Sequence, residues 1–108
     1  MKKSNYHKEK ETALTSLNKF KHSNVEYSLT KKKNISLFAT IFSIFIKDLF
    51  NYQFNDDEKL ALGNHVNSYQ DKNTGLFVES KCSSNPNFYC KACLQLTTFS
   101  MSALAILD

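Results

Sequence analysis

Arginine and tryptophan are absent from this 108-residue sequence, which contains only one proline and two glycines. The scarcity of glycine and proline excludes a collagen-like chain and a small β-domain built on Gly/Pro turns. Bidentate recognition of guanine or phosphate normally relies on arginine, so its absence counts against specific nucleic-acid binding. Residues 1–33 also lack the apolar stretch of a secretory signal peptide. These absences leave a small α-rich domain as the expected class.

Cysteine is sparse, and its number is odd. Cys82, Cys90 and Cys93 do not make a closed set of disulfides, which favours a reducing, cytoplasmic location. The Cys90–Cys93 spacing is that of a C-x-x-C pair, which occurs in zinc sites and thiol chemistry, with His65 as a further candidate ligand. Because the pair falls inside a predicted helix and no second pair follows, packing is the favoured interpretation. We therefore predict no metal and no cofactor, with zinc and redox chemistry as alternatives.

The positive charge is concentrated at the N-terminus. The net charge is +4, yet residues 1–34 hold nine lysines against three acids, and residues 35–108 hold five lysines against seven acids. Apolar residues are few in residues 1–34, so this segment is predicted to be a poorly ordered basic tail, separate from a helical domain at residues 35–108. A short helix near residues 9–21 is the most that its pattern suggests. Contact with anionic lipid is the alternative role for the tail.

Residues 35–54 predict the first helix of the domain, with polar positions 36, 40, 43, 47 and 51 on one face. The opposite, apolar face is expected to be buried. It consists of Phe38, Ile41, Phe42, Phe45, Leu49 and Tyr52. The apolar run is interrupted by hydroxyl residues and is shorter than a membrane span requires. A core helix is therefore predicted, and a membrane anchor is the alternative.

Two further helices are predicted at residues 56–70 and 86–107, on either side of a loop at residues 71–84. Asn55 and Glu58 have the spacing of a capping box at the start of the first. Asp56 and Asp57 are explained by the helix dipole better than by acid–base or magnesium chemistry. His65 beside the apolar face of this helix is expected to be a structural residue.

The strings YQD-x-x-TGLF (69–77) and LTTF-x-x-SALAIL (96–107) resemble the repeat of α/α-toroid proteins, the terpenoid cyclase and protein prenyltransferase-like folds. In those folds a glutamine, a glycine and an aromatic residue recur between paired helices. The resemblance covers about residues 49–108. It implies an all-α fold of about three helices, equivalent to the first one to two repeats of a toroid. It also implies that Gly75 and Phe77 shape the loop and that Gln70 and Asp71 are candidate binding residues.

The sequence departs from the toroid pattern in having too few helices and neither the aspartate-rich cyclase motif nor the full zinc set of prenyltransferases. The expected function is therefore that of a non-catalytic or incomplete helical module, a fragment linked by fold analogy to bacterial surface-glycan synthesis. One alternative is the N-terminal part of a toroid enzyme acting on a glycan or isoprenoid. The other is a small membrane-surface protein.

The last helix is expected to leave an apolar face without a neighbour. In a toroid the next helix pair would cover the face that contains Leu94, Met101, Leu104 and Phe99. An exposed apolar patch of this kind favours association. The sequence therefore predicts self-association or a protein partner.

Overall fold

The computed structural model of this chain describes residues 2–28, 35–79 and 91–108. These ranges contain four helices, and within them no strand forms. The helices are α1 (Lys2–Asn18), α2 (Leu37–Leu49), α3 (Asp56–Asn67) and α4 (Lys91–Leu107). The predicted all-α class is confirmed, but the described residues contain four helices instead of about three.

The additional helix, α1, lies in the segment for which the sequence predicts a poorly ordered tail. It is longer than the short helix expected near residues 9–21, and it packs against α2. Ala13, Leu14 and Leu17 are partly buried, whereas Lys8 and Lys19 are exposed. These three apolar residues thus form a small strip through which α1 packs against α2. The mobility expected of residues 1–34 stays a prediction.

Residues 20–28 form a turn that returns the chain to α2. The amide of Ser28 donates to the carbonyl of Phe20 at 2.9 Å, and the amide of Ser36 donates to the carbonyl of Tyr27 at 2.9 Å. Tyr27 and Ser28 are buried, with 2% and 4% of their surface exposed. The bond from Ser36 to Tyr27 joins residues on the two sides of the domain boundary that the sequence predicts after residue 34. The division into tail and helical domain stays a prediction.

Helix α2 has neighbours on more sides than its sequence pattern predicts. Thr40 and Ser43, which were expected on a solvent face, are almost fully buried, whereas Leu49 is 70% exposed. The hydroxyl of Thr40 donates to the carbonyl of Val25 at 2.7 Å, and the hydroxyl of Ser43 donates to the carbonyl of Thr40 at 2.6 Å. Because both hydroxyls are satisfied, burial does not leave them unpaired. The prediction of one buried and one exposed face was wrong for these residues.

The end of α2 comes earlier than the predicted residue 54. Asn51 has a φ of 61°, in the left-handed region. The amide of Tyr52 donates to the carbonyl of Lys47 at 2.8 Å, and the amide of Asn51 donates to that of Asp48 at 3.0 Å. This pair of bonds is a Schellman motif with asparagine after the cap, and it satisfies carbonyls that the helix leaves free.

Helix α3 begins with the capping box that the sequence predicts. The side chain of Asn55 accepts from the amide of Glu58 at 2.8 Å, and the carboxylate of Glu58 accepts from the amide of Asn55 at 3.1 Å. Leu62 and Val66 are buried, as predicted. The helix ends at Asn67, and turns occupy the remaining residues up to 70.

The apolar core lies where α4 packs against both α2 and α3. Its buried members come from all three helices and from the loop that follows α3. They are Leu37, Ile41, Ile44, Leu62, Val66, Phe77, Leu96, Ala103 and Leu107. Helix α4 ends at Leu107, as predicted, whereas its predicted start at residue 86 lies outside the described residues.

An aromatic cluster extends the contact between α2 and α4. The ring of Phe99 lies 5.9–6.2 Å, between centroids, from the rings of Phe38, Phe42 and Phe45. These separations and their tilted or edge-on geometries are typical of favourable aromatic pairs. Phe99 is therefore partly covered, in contrast to the exposed position considered for it from sequence.

Candidate functional site

The loop after α3 holds the residues that the sequence singles out for binding. The chain reverses at Gly75, which has a φ of 80°. The amide of Gly75 donates to the carbonyl of Asp71 and the amide of Asp71 to the carbonyl of Leu76, both at 2.7 Å. Positive φ is accessible to glycine at little steric cost, which is the reason for this residue at the turn.

The side chains of Gln70 and Asp71 bond within this same loop. Gln70 donates from Nε2 to the carbonyl of Gly75 at 3.0 Å. The carboxylate of Asp71 accepts from the amide of Asn73 at 3.0 Å and from the hydroxyl of Thr74 at 3.1 Å. The described contacts of both residues thus stabilise the turn. The ligand-binding role expected of Gln70 and Asp71 stays a prediction.

Phe77 anchors the loop in the core. Its side chain is 1% exposed, and its amide donates to the hydroxyl of Thr97 on α4 at 2.9 Å. The next residue, Val78, donates from its amide to the carbonyl of Tyr69 at 3.0 Å. The loop is therefore bonded to the turn that follows α3 and to α4, and Phe77 is buried between helices.

Glu79 extends the loop to the start of α2. Its carboxylate accepts from the amide of Leu37 at 3.0 Å and from the hydroxyl of Ser36 at 3.3 Å. Ser36, the residue before the helix, makes no side-chain cap of its own. An anion at a helix N-terminus satisfies free amides and interacts favourably with the helix dipole. Sequence reasoning missed this contact, since its partners are more than forty residues apart.

His65 lies on α3, half-buried, with its ring centroid 5.4 Å from that of Tyr69 in an edge-on geometry. Within the described part of the chain, its Nε2 atom is buried and has no hydrogen-bond partner. Burial lowers the pKa of His65, and the carboxylate of Glu26 opposes that shift. Burial raises the pKa of Tyr69, with the charges of Glu79 and Glu26 acting in the same direction. The arrangement favours a neutral imidazole.

Lys47 joins the N-terminal segment to the link between α2 and α3. Its ammonium lies 3.4 Å from the hydroxyl of Tyr27 and 4.9 Å from the ring centroid of Tyr52. Tyr52 donates to the carboxylate of Glu58 at 2.8 Å. This hydrogen bond, followed by burial, raises the pKa of Tyr52. Lys47, Tyr52 and Glu58 thus stabilise the fold through a cation–π contact and a charge-assisted hydrogen bond. No local sequence pattern predicts these contacts.

The metal candidates are not brought together by the described residues. Cys82 and Cys90 lie outside the described ranges, and Cys93 belongs to α4. Among the residues that are described, no group of three or more histidine, cysteine, aspartate or glutamate side chains could hold a metal ion. His65 is placed instead beside Tyr69. The alternatives of zinc and thiol chemistry stay untested.

The exposed face of α4 is the second candidate site. Leu94 and Met101 are 51% and 57% exposed. Thr98, which lies between them, and Ala105, which follows Met101 one turn later, are also exposed. These positions follow the i, i+4, i+7, i+11 spacing of one helical face. Leu96 and Ala103 face the core on the opposite side. Two large apolar side chains therefore stand on a surface that the rest of the described chain leaves uncovered, whereas Leu104 is partly buried.

Within the described ranges, no helix combines the length and hydropathy that crossing a membrane requires. Comparison of the chain with protein-family models, with curated proteins and with solved structures found no match in any of the three. The resemblance to α/α-toroid repeats therefore stays a hypothesis.

Proposed function

We propose that this chain is a non-catalytic helical module that acts by protein association through the exposed face of α4. The observation that supports this proposal is the pair Leu94 and Met101, each with more than half of its surface exposed on one face. Isolated apolar residues are ordinary on protein surfaces, but a shared face on one helix is typical of an interface.

The bonding of the loop supports the same proposal. Gln70, Asp71 and Glu79 each use their polar atoms to hold the loop together or to cap α2. A catalytic or ligand-binding group has to present such atoms to a substrate. Because these polar atoms are used in structural contacts, a scaffold in which the loop holds the helices in place is favoured over an enzyme.

The proposed partner is a second copy of the chain. In a symmetric pair, Leu94 and Met101 of each copy would be covered. Burying the half of each side chain that is now exposed contributes about 1 kcal/mol, so four side chains contribute about 4 kcal/mol. That free energy corresponds to roughly a thousandfold change in the dissociation constant. The toroid resemblance extends the proposal to a cytoplasmic repeat fragment associated with glycan synthesis.

Sedimentation velocity tests the proposal across a micromolar concentration series. We expect the wild-type chain to associate and the double variant Leu94→Gln/Met101→Gln to remain monomeric with unchanged helical content. Leu60→Gln is the matched control, since Leu60 is 66% exposed but lies on α3. A wild-type chain that stays monomeric throughout, or a control that dissociates as fully as the double variant, would contradict the proposal.

A further inference from the structure

An apolar cavity of about 270 Å³ lies between α1 and α2, away from the α4 face. Its walls come from the second half of α1, the turn that follows it and the middle of α2. The main apolar lining residues are Ala13, Leu17, Phe20, Ala39, Phe42 and Ile46. Ligand pockets in proteins are concave and mostly apolar, with a few polar groups that fix orientation, and this cavity is just below their usual size range of about 300–1,000 Å³.

The polar lining residues do not make the cavity hydrophilic. The hydroxyl of Ser43 donates to the carbonyl of Thr40 within α2, and the amide of Ser28 donates to the carbonyl of Phe20. These groups bond inside the protein, and the surface of the cavity walls is mainly apolar. An alkyl chain is the chemistry that such walls favour.

Two lysines are next to a lining residue in the sequence. Lys19 and Lys21 flank the lining residue Phe20 and are exposed. No acidic residue occurs from residue 12 to residue 25, and one carboxylate, that of Glu26, adjoins the lining residue Tyr27. The C-terminus of α1 carries the negative end of the helix dipole, and Lys19 and Lys21, which lie just beyond it, exceed that partial charge together with the charge of Glu26. The rim therefore favours an anionic group.

We propose that this cavity binds a single-chain anionic amphiphile, with its alkyl chain between α1 and α2 and its anionic head at Lys19 and Lys21. An apolar cavity of about 150 Å³ accommodates benzene, so a cavity of about 270 Å³ has room for one alkyl chain of roughly ten carbons. The charge complementarity favours an anionic amphiphile over a neutral or cationic one. The size favours one chain over the paired chains of a bilayer lipid.

Titration calorimetry with decanoate, below the concentration at which it forms micelles, tests this proposal on the full chain. Decanol and decyltrimethylammonium are the neutral and cationic comparisons of equal chain length. We expect saturable binding of one decanoate per chain and weaker binding of both comparisons. Equal affinity for all three probes, or binding of anionic vesicles without binding of free decanoate, would overturn the proposal.

Variants locate the site. Ala13→Phe and Ser16→Phe each fill the cavity from α1 and should abolish decanoate binding, whereas Ala61→Phe on the exposed part of α3 should not. Lys19→Gln and Lys21→Gln should each weaken binding about twofold to fivefold, because exposed charges contribute little individually. Circular dichroism of each variant shows whether α1 remains folded. Unchanged binding by both folded phenylalanine variants would overturn the proposal.

The Leu94→Gln/Met101→Gln variant separates this inference from the proposed association. It changes only the α4 face and should bind decanoate as the wild type does. If decanoate binding disappears in that variant, the alkyl chain sits on α4 and the cavity assignment is wrong. The result does not depend on whether the wild-type chain associates.

Discussion

Replacing Glu79 tests the contact that joins the loop after α3 to the start of α2. The Glu79 carboxylate accepts from the Leu37 amide at 3.0 Å and from the Ser36 hydroxyl at 3.3 Å. Loss of an N-terminal cap costs about 1 kcal/mol, and loss of the charge beside the helix dipole costs about 0.3–1 kcal/mol. We therefore expect Glu79→Ala to lower the free energy of unfolding by about 1–2 kcal/mol.

Glu79→Gln separates the two contributions. The amide oxygen of glutamine can still accept a hydrogen bond, but the negative charge is removed, so we expect a loss of about 0.3–1 kcal/mol. The matched control is Glu11→Gln, an exposed carboxylate on α1. Its replacement should change stability by less than about 0.5 kcal/mol.

Urea denaturation followed by circular dichroism measures these differences, at several protein concentrations so that association is separated from folding. Added salt should reduce the difference between wild type and Glu79→Gln, since a partly exposed charge is screened. If Glu79→Ala unfolds at the same urea concentration as the wild type, the Glu79 carboxylate does not stabilise the start of α2.

Three further predictions follow from single residues. Gly75→Val should cost about 1–2 kcal/mol in urea denaturation because of the positive φ of Gly75, and Gly75→Asn should cost less; equal losses would refute the turn. Thr40→Val removes the hydrogen bond to the Val25 carbonyl and should cost about 1 kcal/mol, whereas no loss would place Thr40 at the surface. Because the pKa of His65 is lowered in the folded state, the unfolded state binds the proton more readily, and the free energy of unfolding should fall as the pH drops below 6.5 and through the folded-state pKa. In His65→Phe this loss of stability should be smaller. A loss as large as that of the wild type would show that other groups cause it.

The features predicted correctly from the sequence are those set by neighbours along the chain. Asn55 and Glu58 form a capping box because both partners lie within one helical turn. Leu62 and Val66 are buried because their spacing places them on one face of α3. Gly75 takes the left-handed conformation that the turn requires. Each of these depends on local geometry, which a single sequence records.

The features that were missed depend on residues far apart in the chain. The sequence pattern places Thr40 and Ser43 on a solvent face, but in the structure residues 20–28 and α1 cover that side of α2. The carboxylate of Glu79 reaches a helix that begins forty-two residues earlier. The early end of α2 is an exception, because it has a local signal: Asn51 is a residue type that tolerates positive φ, although the aromatic residues that follow continue the apolar helical pattern.

The most direct test of the proposed function is an amide NMR dilution series of the wild-type chain. If α4 is the association face, the resonances that shift with concentration belong to residues 94, 98, 101 and 105, and the shifts disappear in Leu94→Gln/Met101→Gln. Shifts confined to other exposed apolar residues, such as Leu49 and Leu60, or no shift at any micromolar concentration, would contradict the account.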